Sequence, residues 1–149
     1  AETFPNADVD AVDISDDALN VAQRNITGYG LDDRITTIKS NMLTALAGRQ
    51  YDVIICNPPY VNAPSMDMLP QEYRHEPQLA LASGEDGLEH VRTLLKNAAE
   101  FLHPAGLLIV EIGHNRAELE VAFPHLPFTW LEVAAGDEFV FLLTREQLA

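Results

Sequence analysis

The sequence predicts an α/β fold on a mainly parallel sheet that closes in an antiparallel C-terminal edge. Three observations carry this. Short β-branched apolar runs alternate with stretches whose apolar residues recur three and four apart, the alternation that builds a parallel sheet. The runs stop at or just before polar residues, as open-sheet strands do at a ligand-facing rim. The last two runs are joined by Ala134–Glu138 alone, short enough for a hairpin.

The elements follow in order. Val9–Ile14 reads as a buried strand ending near Asp13. Ser15 is placed as an N-cap, and Asp16 and Asp17 suit the dipole of a first helical turn. Ala18, Leu19, Ala22 and Ile26 share one face, so a helix runs to about Thr27, where Gly28 and Gly30 stop it. Arg34–Lys39 alternates enough for a second strand. Tyr51–Cys56 is the clearest buried strand, and it ends at Asn57-Pro58-Pro59 because proline donates nothing to a ladder. Val61 to Gly87, with Pro64, Pro70 and Pro77 and no sustained period, is expected to be a long loop of functional type. Leu88, Val91, Leu94, Leu95, Ala98 and Ala99 line one side of a helix from Asp86 or Gly87 to about Leu102, closed by His103-Pro104-Ala105-Gly106. Leu107–Ile112 is a strand and Asn115–Ala122 a short helix. Phe128–Val133 and Phe139–Thr144 form the closing hairpin.

Composition narrows the function. A chain of 149 residues, 47% hydrophobic and 21% charged, suits one globular domain. Apolar runs such as Ala105–Val110 fall far below the roughly 20 residues of a membrane span. Ala1-Glu2-Thr3-Phe4-Pro5 has no signal-peptide character. Cys56 is the one cysteine, so no internal disulfide forms, which fits a reducing cytoplasm. His75, His90, His103, His114 and His125 lack metal-ligand spacing, so no metal is expected. Against 23 Asp and Glu stand 9 Lys and Arg, a net charge of -14. Such a surface repels a polyanion, so DNA is not an expected partner, and it attracts a basic protein. It also serves plain solubility.

Four polar residues sit at four successive strand ends: Asp13, Asn41, Asn57 and Glu111. Each has two readings. Asp13 suits paired ribose hydroxyls, or a turn before the helix at Ser15. Asn41 suits an adenine edge, or an Asx turn. Glu111 suits a substrate or cofactor group, or a neighbouring loop. Asn57-Pro58-Pro59-Tyr60 is more specific. Two prolines stiffen the backbone past a buried strand and fix two acceptors, the Asn57 side chain and the Pro58 carbonyl. A planar amino group is a poor nucleophile because its lone pair is delocalised. Two acceptors on its two N–H bonds orient the nitrogen and favour its pyramidal form, so the lone pair meets an electrophilic methyl in line. Tyr60 offers an aromatic face to a planar substrate or a cation. The plainer alternative is a tight turn after a strand.

On this motif the chain resembles class I, Rossmann-like methyltransferases that modify exocyclic or amide nitrogen. Nearly its whole length is similar to the HemK family of protein glutamine-N5 methyltransferases. The likeness rests on Val9–Ser15 with Ala18, Leu19 and Ala22, on Arg74-His75-Glu76-Pro77, on Ala80-Leu81, and on Gly84-Glu85-Asp86-Gly87-Leu88. Arg74–Pro77 and the ending Phe128–Glu132 with Phe139–Leu148 look most like the branch acting on the third large-subunit ribosomal protein. The release-factor branch is the near alternative. The resemblance implies S-adenosyl-L-methionine as cofactor, held by Asp13 on the ribose and by Asn41 near the adenine, with Ile14, Met42 and Asn57 beside it. It implies that Asn57 and Pro58 bind the glutamine amide, that Pro59 and Tyr60 line its pocket, and that Glu76 and Pro77 shape the loop above; Asn57, Pro58 and Tyr60 are then the catalytic set.

Two departures qualify the resemblance. The family usually carries Asp where Asn41 stands. Its glycine-rich first strand and turn, central between the strands ending at Asp13 and Asn57, and its N-terminal helical domain have no counterpart in this sequence. Residues 1–149 are therefore expected to be the C-terminal part of one catalytic domain, with weak cofactor affinity by themselves. Adenine-N6 methylation of nucleic acid and an inactive partner-binding module remain the alternatives.

Overall fold

The computed structural model describes residues 1, 3–62, 83–134, 136 and 139–149. They fall into two compact units, Ala1–Arg49 and Gln50–Ala149.

The first unit is a strand–helix–strand. Strand β1 (Val9–Asp13) runs parallel to β2 (Ile35–Lys39), in register from Val9 against Ile35 to Asp13 against Lys39. Parallel neighbours need a crossover, and α1 (Asp16–Gly28) supplies it. The Ser15 hydroxyl accepts from the Ala18 N–H at 3.3 Å, and Asp16 and Asp17 occupy the first turn. Past the helix, Gly30 takes the left-handed conformation at φ +65°, and Leu31 N–H returns to the Ile26 carbonyl at 2.9 Å. Ile26 is the helix's buried residue. Arg34 ties down the N-terminal segment by donating to the carbonyls of Ala1 at 3.0 Å and Phe4 at 3.2 Å.

The second unit holds a four-stranded sheet in the order β3-β4-β6-β5. Strand β3 (Tyr51–Cys56) pairs in parallel with β4 (Leu102–Glu111). On its other side β4 pairs antiparallel with β6 (Val140–Thr144), which pairs antiparallel with β5 (Thr129–Trp130). Helix α2 (Glu89–Asn97) precedes β4, α3 (Arg116–Ala122) follows it, and α4 (Arg145–Leu148) ends the chain. The expected parallel sheet with an antiparallel C-terminal edge is thus present.

The core follows from strand alternation. Leu108 and Val110 of β4 lie opposite Leu143 and Phe141 of β6, and all four are fully buried. Val91, Leu94 and Leu95 give α2 its buried face, and Ala98 and Leu102 are buried after it. Phe141 meets Phe128 edge-on at 5.0 Å and Trp130 at 5.9 Å.

Several boundaries differ from expectation, the start of α2 at Glu89 rather than Asp86 or Gly87 among them, and one helix is new. The helix expected to reach Leu102 is α-helical only to Asn97 and then tightens to a 3-10 turn over Ala98–Phe101. Leu102 is taken by the sheet, where it pairs with Tyr51. Strand β4 therefore begins at Leu102 rather than Leu107, and His103–Gly106 is absorbed as an irregularity between the pairs Tyr51–Leu102 and Val53–Leu107. Gly106 is required there, since a Cβ would stand 2.8 Å from the His103 carbonyl. Strand β5 is shorter than Phe128–Val133, although Leu131 N–H still reaches the Val140 carbonyl at 2.9 Å. Helix α4 was not expected; its signal is the capping-box spacing of Thr144 and Gln147, whose side chain accepts from the Thr144 N–H at 2.8 Å.

Leu94→Ala should lower the free energy of unfolding by about 2–5 kcal/mol, because it leaves a cavity at a fully buried position. Val121→Ala, at a site 81% exposed, should change it by less than about 0.5 kcal/mol. Urea unfolding of the two variants checks both.

Candidate active site

In the first unit the register of β1 and β2 brings Asp13 and the turn after Lys39 to the same end of the pair. Asp13 is exposed, and its Oδ1 accepts from the Ser15 N–H at 2.8 Å. The local-turn role is therefore present, and it engages one carboxylate oxygen. Ser40 N–H donates to the Asp13 carbonyl at 3.0 Å and starts the turn. The buried Ser40 hydroxyl accepts from Ala45 N–H at 2.9 Å and holds it closed. Asn41 is exposed at the tip, where its carbonyl accepts from the Thr44 hydroxyl at 2.9 Å. Met42 follows at φ +51°, a conformation a non-glycine residue takes only at a cost. Ile14 stays 43% exposed beside Asp13.

In the second unit Cys56 pairs with Val110, so Asn57 leaves the sheet beside the end of β4 and Glu111. Asn57 is exposed while Pro58 is buried, so the chain turns sharply with one acceptor side chain outward. Pro59 and Tyr60 are half-buried. Tyr60 is gripped from two sides. Its carbonyl accepts from Asn115 Nδ2 at 2.7 Å. Its ring lies against Gly113, where a Cβ would stand 2.5 Å from Cε2. Gly113 and Gly87 both have positive φ, so a side chain at either position would be strained even with space.

Just beyond, Ser83 N–H donates to the Val61 carbonyl at 2.9 Å and joins the chain on either side of residues 63–82. The fully buried Ser83 hydroxyl lies 3.0 Å from His90 Nδ1 and accepts from the His90 N–H at 3.3 Å, which anchors this junction to α2. Asp86 accepts from Leu88 N–H at 3.1 Å and takes both guanidinium nitrogens of Arg92, at 2.9 and 2.5 Å. The Arg92 hydrogen bond, helped by the Leu88 N–H, pulls the Asp86 carboxyl down to about 2, and Asp86 in turn raises Arg92. A shallow acidic depression of about 540 Å³ lies over Gly84, Asp86 and Arg92, but none of its lining residues belongs to Asn57–Tyr60.

Asp13, Ile14, Asn41 and Met42 thus share one rim of the first unit, and Asn57, Pro58, Pro59, Tyr60 and Glu111 share one rim of the second. Glu76, with the rest of Arg74–Pro77, lies outside the described residues. Asn115 and Gly113 were missed from sequence; a helix-opening asparagine two residues past a glycine at a strand end was the available signal.

A profile of the methyltransferase small domain family matches residues 1–84, a span that includes both Asp13 and Asn57-Pro58-Pro59-Tyr60. The chain belongs to this family. Curated relatives of the chain carry the name ribosomal protein uL3 glutamine methyltransferase. The one from Neisseria gonorrhoeae is 60% identical over 99% of this chain and 49% of its own length. Those from Neisseria meningitidis serogroup B and Bordetella pertussis are 59% and 55% identical, again over 99% of this chain, and over 48% and 50% of their own lengths. The chain therefore spans about half the length of the curated relatives it matches. Among solved structures, a methyltransferase from Pyrococcus furiosus superposes with a TM-score of 0.66 at 19% identity, over 97% of this chain and 66% of that one. TrmN from Thermus thermophilus gives 0.62 at 19%, over 96% and 38%. At such identity they establish the fold, that of class I methyltransferases.

Burial pushes the Cys56 thiol, which lies next to Asn57, from 9.0 up to about 11. A thiol held that high carries far less thiolate near neutrality, so iodoacetamide should label native Cys56 about 100-fold more slowly at pH 8 than the urea-unfolded chain. Mass spectrometry of quenched time points measures the ratio.

Proposed function

We propose that the protein carrying this chain transfers a methyl group from S-adenosyl-L-methionine to the side-chain nitrogen of a glutamine in ribosomal protein uL3. The observation that carries the proposal is the placement of Asn57-Pro58-Pro59-Tyr60. It sits at the carboxyl end of a parallel strand, where open α/β sheets bind their ligands, with Pro58 buried and Tyr60 braced. The names of relatives 55–60% identical along the chain favour uL3 as the target.

The residues present suit each part. The Asn57 side-chain oxygen and the Pro58 carbonyl accept the two N–H bonds of the amide. Held so, the nitrogen lone pair is drawn out of conjugation and can attack an electrophilic methyl; on transfer the methyl–sulfur bond would break with its electron pair going to sulfur, and the nitrogen would release one N–H proton to water. Tyr60 walls the amide with an aromatic face and helps exclude water. The cofactor, when bound, supplies the electrophilic methyl. The donor set of the first unit fits its nucleoside end: the exposed Asp13 carboxylate for ribose hydroxyls, the exposed Asn41 for an adenine edge, and Ile14 with Met42 for apolar contact. In this reading Glu76 joins the substrate-binding set.

The charge of -14 supports a basic protein substrate, since complementary fields speed encounter, and it disfavours nucleic acid. A ribosomal target places the reaction in the cytoplasm. No helix among the described residues is long and apolar enough to cross a membrane.

The intact protein should transfer labelled methyl from S-adenosyl-L-methionine to uL3, and not to duplex DNA. Label appearing on a release factor instead would move the target within the same chemistry; label on adenine would refute the protein amide. In the active protein Asn57→Ala should cut kcat by roughly 100- to 1,000-fold, the size of a lost electrostatic contact to the reacting group. Cofactor affinity by calorimetry should hold, and unchanged turnover would remove Asn57 from the site.

A further inference from the structure

Asn115 stands at the N-cap of α3, with φ −92° and ψ 21°, yet its side chain caps nothing. Asparagine at that position ordinarily accepts from a backbone N–H of the first turn. Here its amide nitrogen instead donates to the carbonyl of Tyr60, 55 residues away, at 2.7 Å. A residue that gives up its local partner for a distant one answers to the tertiary structure, and such local violations concentrate at functional sites.

The surroundings are shaped for this contact. A Cβ on Gly87 would stand 2.5 Å from the Tyr60 oxygen and 2.7 Å from Asn115 Nδ2, so only glycine leaves room for the bond. Gly113, two residues before Asn115, gives up its own side-chain space to the Tyr60 ring. Three positions from two separate segments therefore converge on one tyrosine, two on its carbonyl and one on its ring. On the other side Pro58 and Pro59 remove backbone freedom between Asn57 and Tyr60. The acceptor segment is fixed at both ends.

We propose that Asn115 is a positioning residue for methyl transfer: by holding the Tyr60 carbonyl in the gap left by Gly87, it sets the Tyr60 ring and the Asn57-Pro58 acceptors against the substrate amide. The inference rests on the reading of this segment as the amide site. It adds a residue that touches neither substrate nor cofactor and that works through Tyr60. Catalytic hydrogen bonds lose rate steeply with small displacements, so a clamp of this kind acts on kcat more than on cofactor binding.

Asn115→Asp separates this role from a structural one. The carboxylate keeps the shape of the amide and loses the donor, and it restores an acceptor and a negative charge suited to the start of a helix. A merely structural Asn115 predicts a variant whose melting temperature falls while kcat per folded molecule stays parental. The positioning role predicts a melting temperature within about 5 °C of the parent, unchanged cofactor affinity, and kcat lower by roughly ten- to a hundredfold per folded molecule. Parental kcat overturns the proposal. Amide hydrogen exchange over residues 60–62 of the intact protein reads the clamp without any assay of transfer, and in the variant it should quicken by about tenfold or more. Unchanged exchange overturns the clamp. A parent that methylates no glutamine, in which the variant still quickens exchange, overturns the amide-site reading and leaves the clamp standing.

Discussion

Strand β4 must satisfy two partners at once, parallel β3 on one side and antiparallel β6 on the other. Most of the chain after Gln50 is arranged by that double demand. Pairing with β6 sets Leu108 and Val110 against Leu143 and Phe141, all fully buried, and so creates an apolar face of the core. Pairing with β3 sets Cys56 beside Val110, which decides where Asn57 leaves the sheet. The turn after β4 then arrives next to the turn after β3, and Tyr60 meets Gly113 and Asn115. One strand, through its two ladders, thereby supplies both the core and the position of the acceptor segment.

Stability and chemistry draw on different interactions here. The ion pairs of Arg92 with Asp86 and of Arg116 with Glu120 lie on the surface, and pairs of that kind add roughly 0–1 kcal/mol each. Fully burying one leucine side chain adds about 1.5–3 kcal/mol. Core residues such as Leu94, Leu102 and Leu143 therefore hold the fold. The polar contacts at the rim set direction. Asp86 accepting from Leu88 and Arg92, and Ser83 bonded to His90, determine where the chain enters α2.

The sequence made some of this legible and hid the rest for definite reasons. Strands β1, β2 and β3 and helix α1 were readable in position because their signals are local: β-branched runs, the Ser15 cap, the helix-stopping glycines and the two prolines after Cys56. The burial expected of β1 and β3 is not found: no residue of either is buried, and Val53 and Ile55 are 44% and 77% exposed. The start of β4 was not, because Leu102 reads as the last apolar position of a helix until Tyr51 claims it. Asn57-Pro58-Pro59-Tyr60 announced itself by composition. Its support from Gly87, Gly113 and Asn115 did not, because those contacts join residues tens of positions apart and depend on backbone sign and side-chain direction. Asp13 and Asn41 stand at strand ends as expected, and Asp13 serves the turn to Ser15 with one carboxylate oxygen.

The hydrogen bond from Ser83 to Val61 makes a junction of the two points that flank residues 63–82 in the second unit. The entropic cost of joining two points of a chain grows only slowly with the length between them, by about 0.6 kcal/mol per doubling. Closing this junction therefore costs little more for a longer span of chain than for a shorter one. The Ser83–His90 contact carries that junction into α2, so the chain resumes toward the helix from one fixed point whatever the length of chain the bond closes.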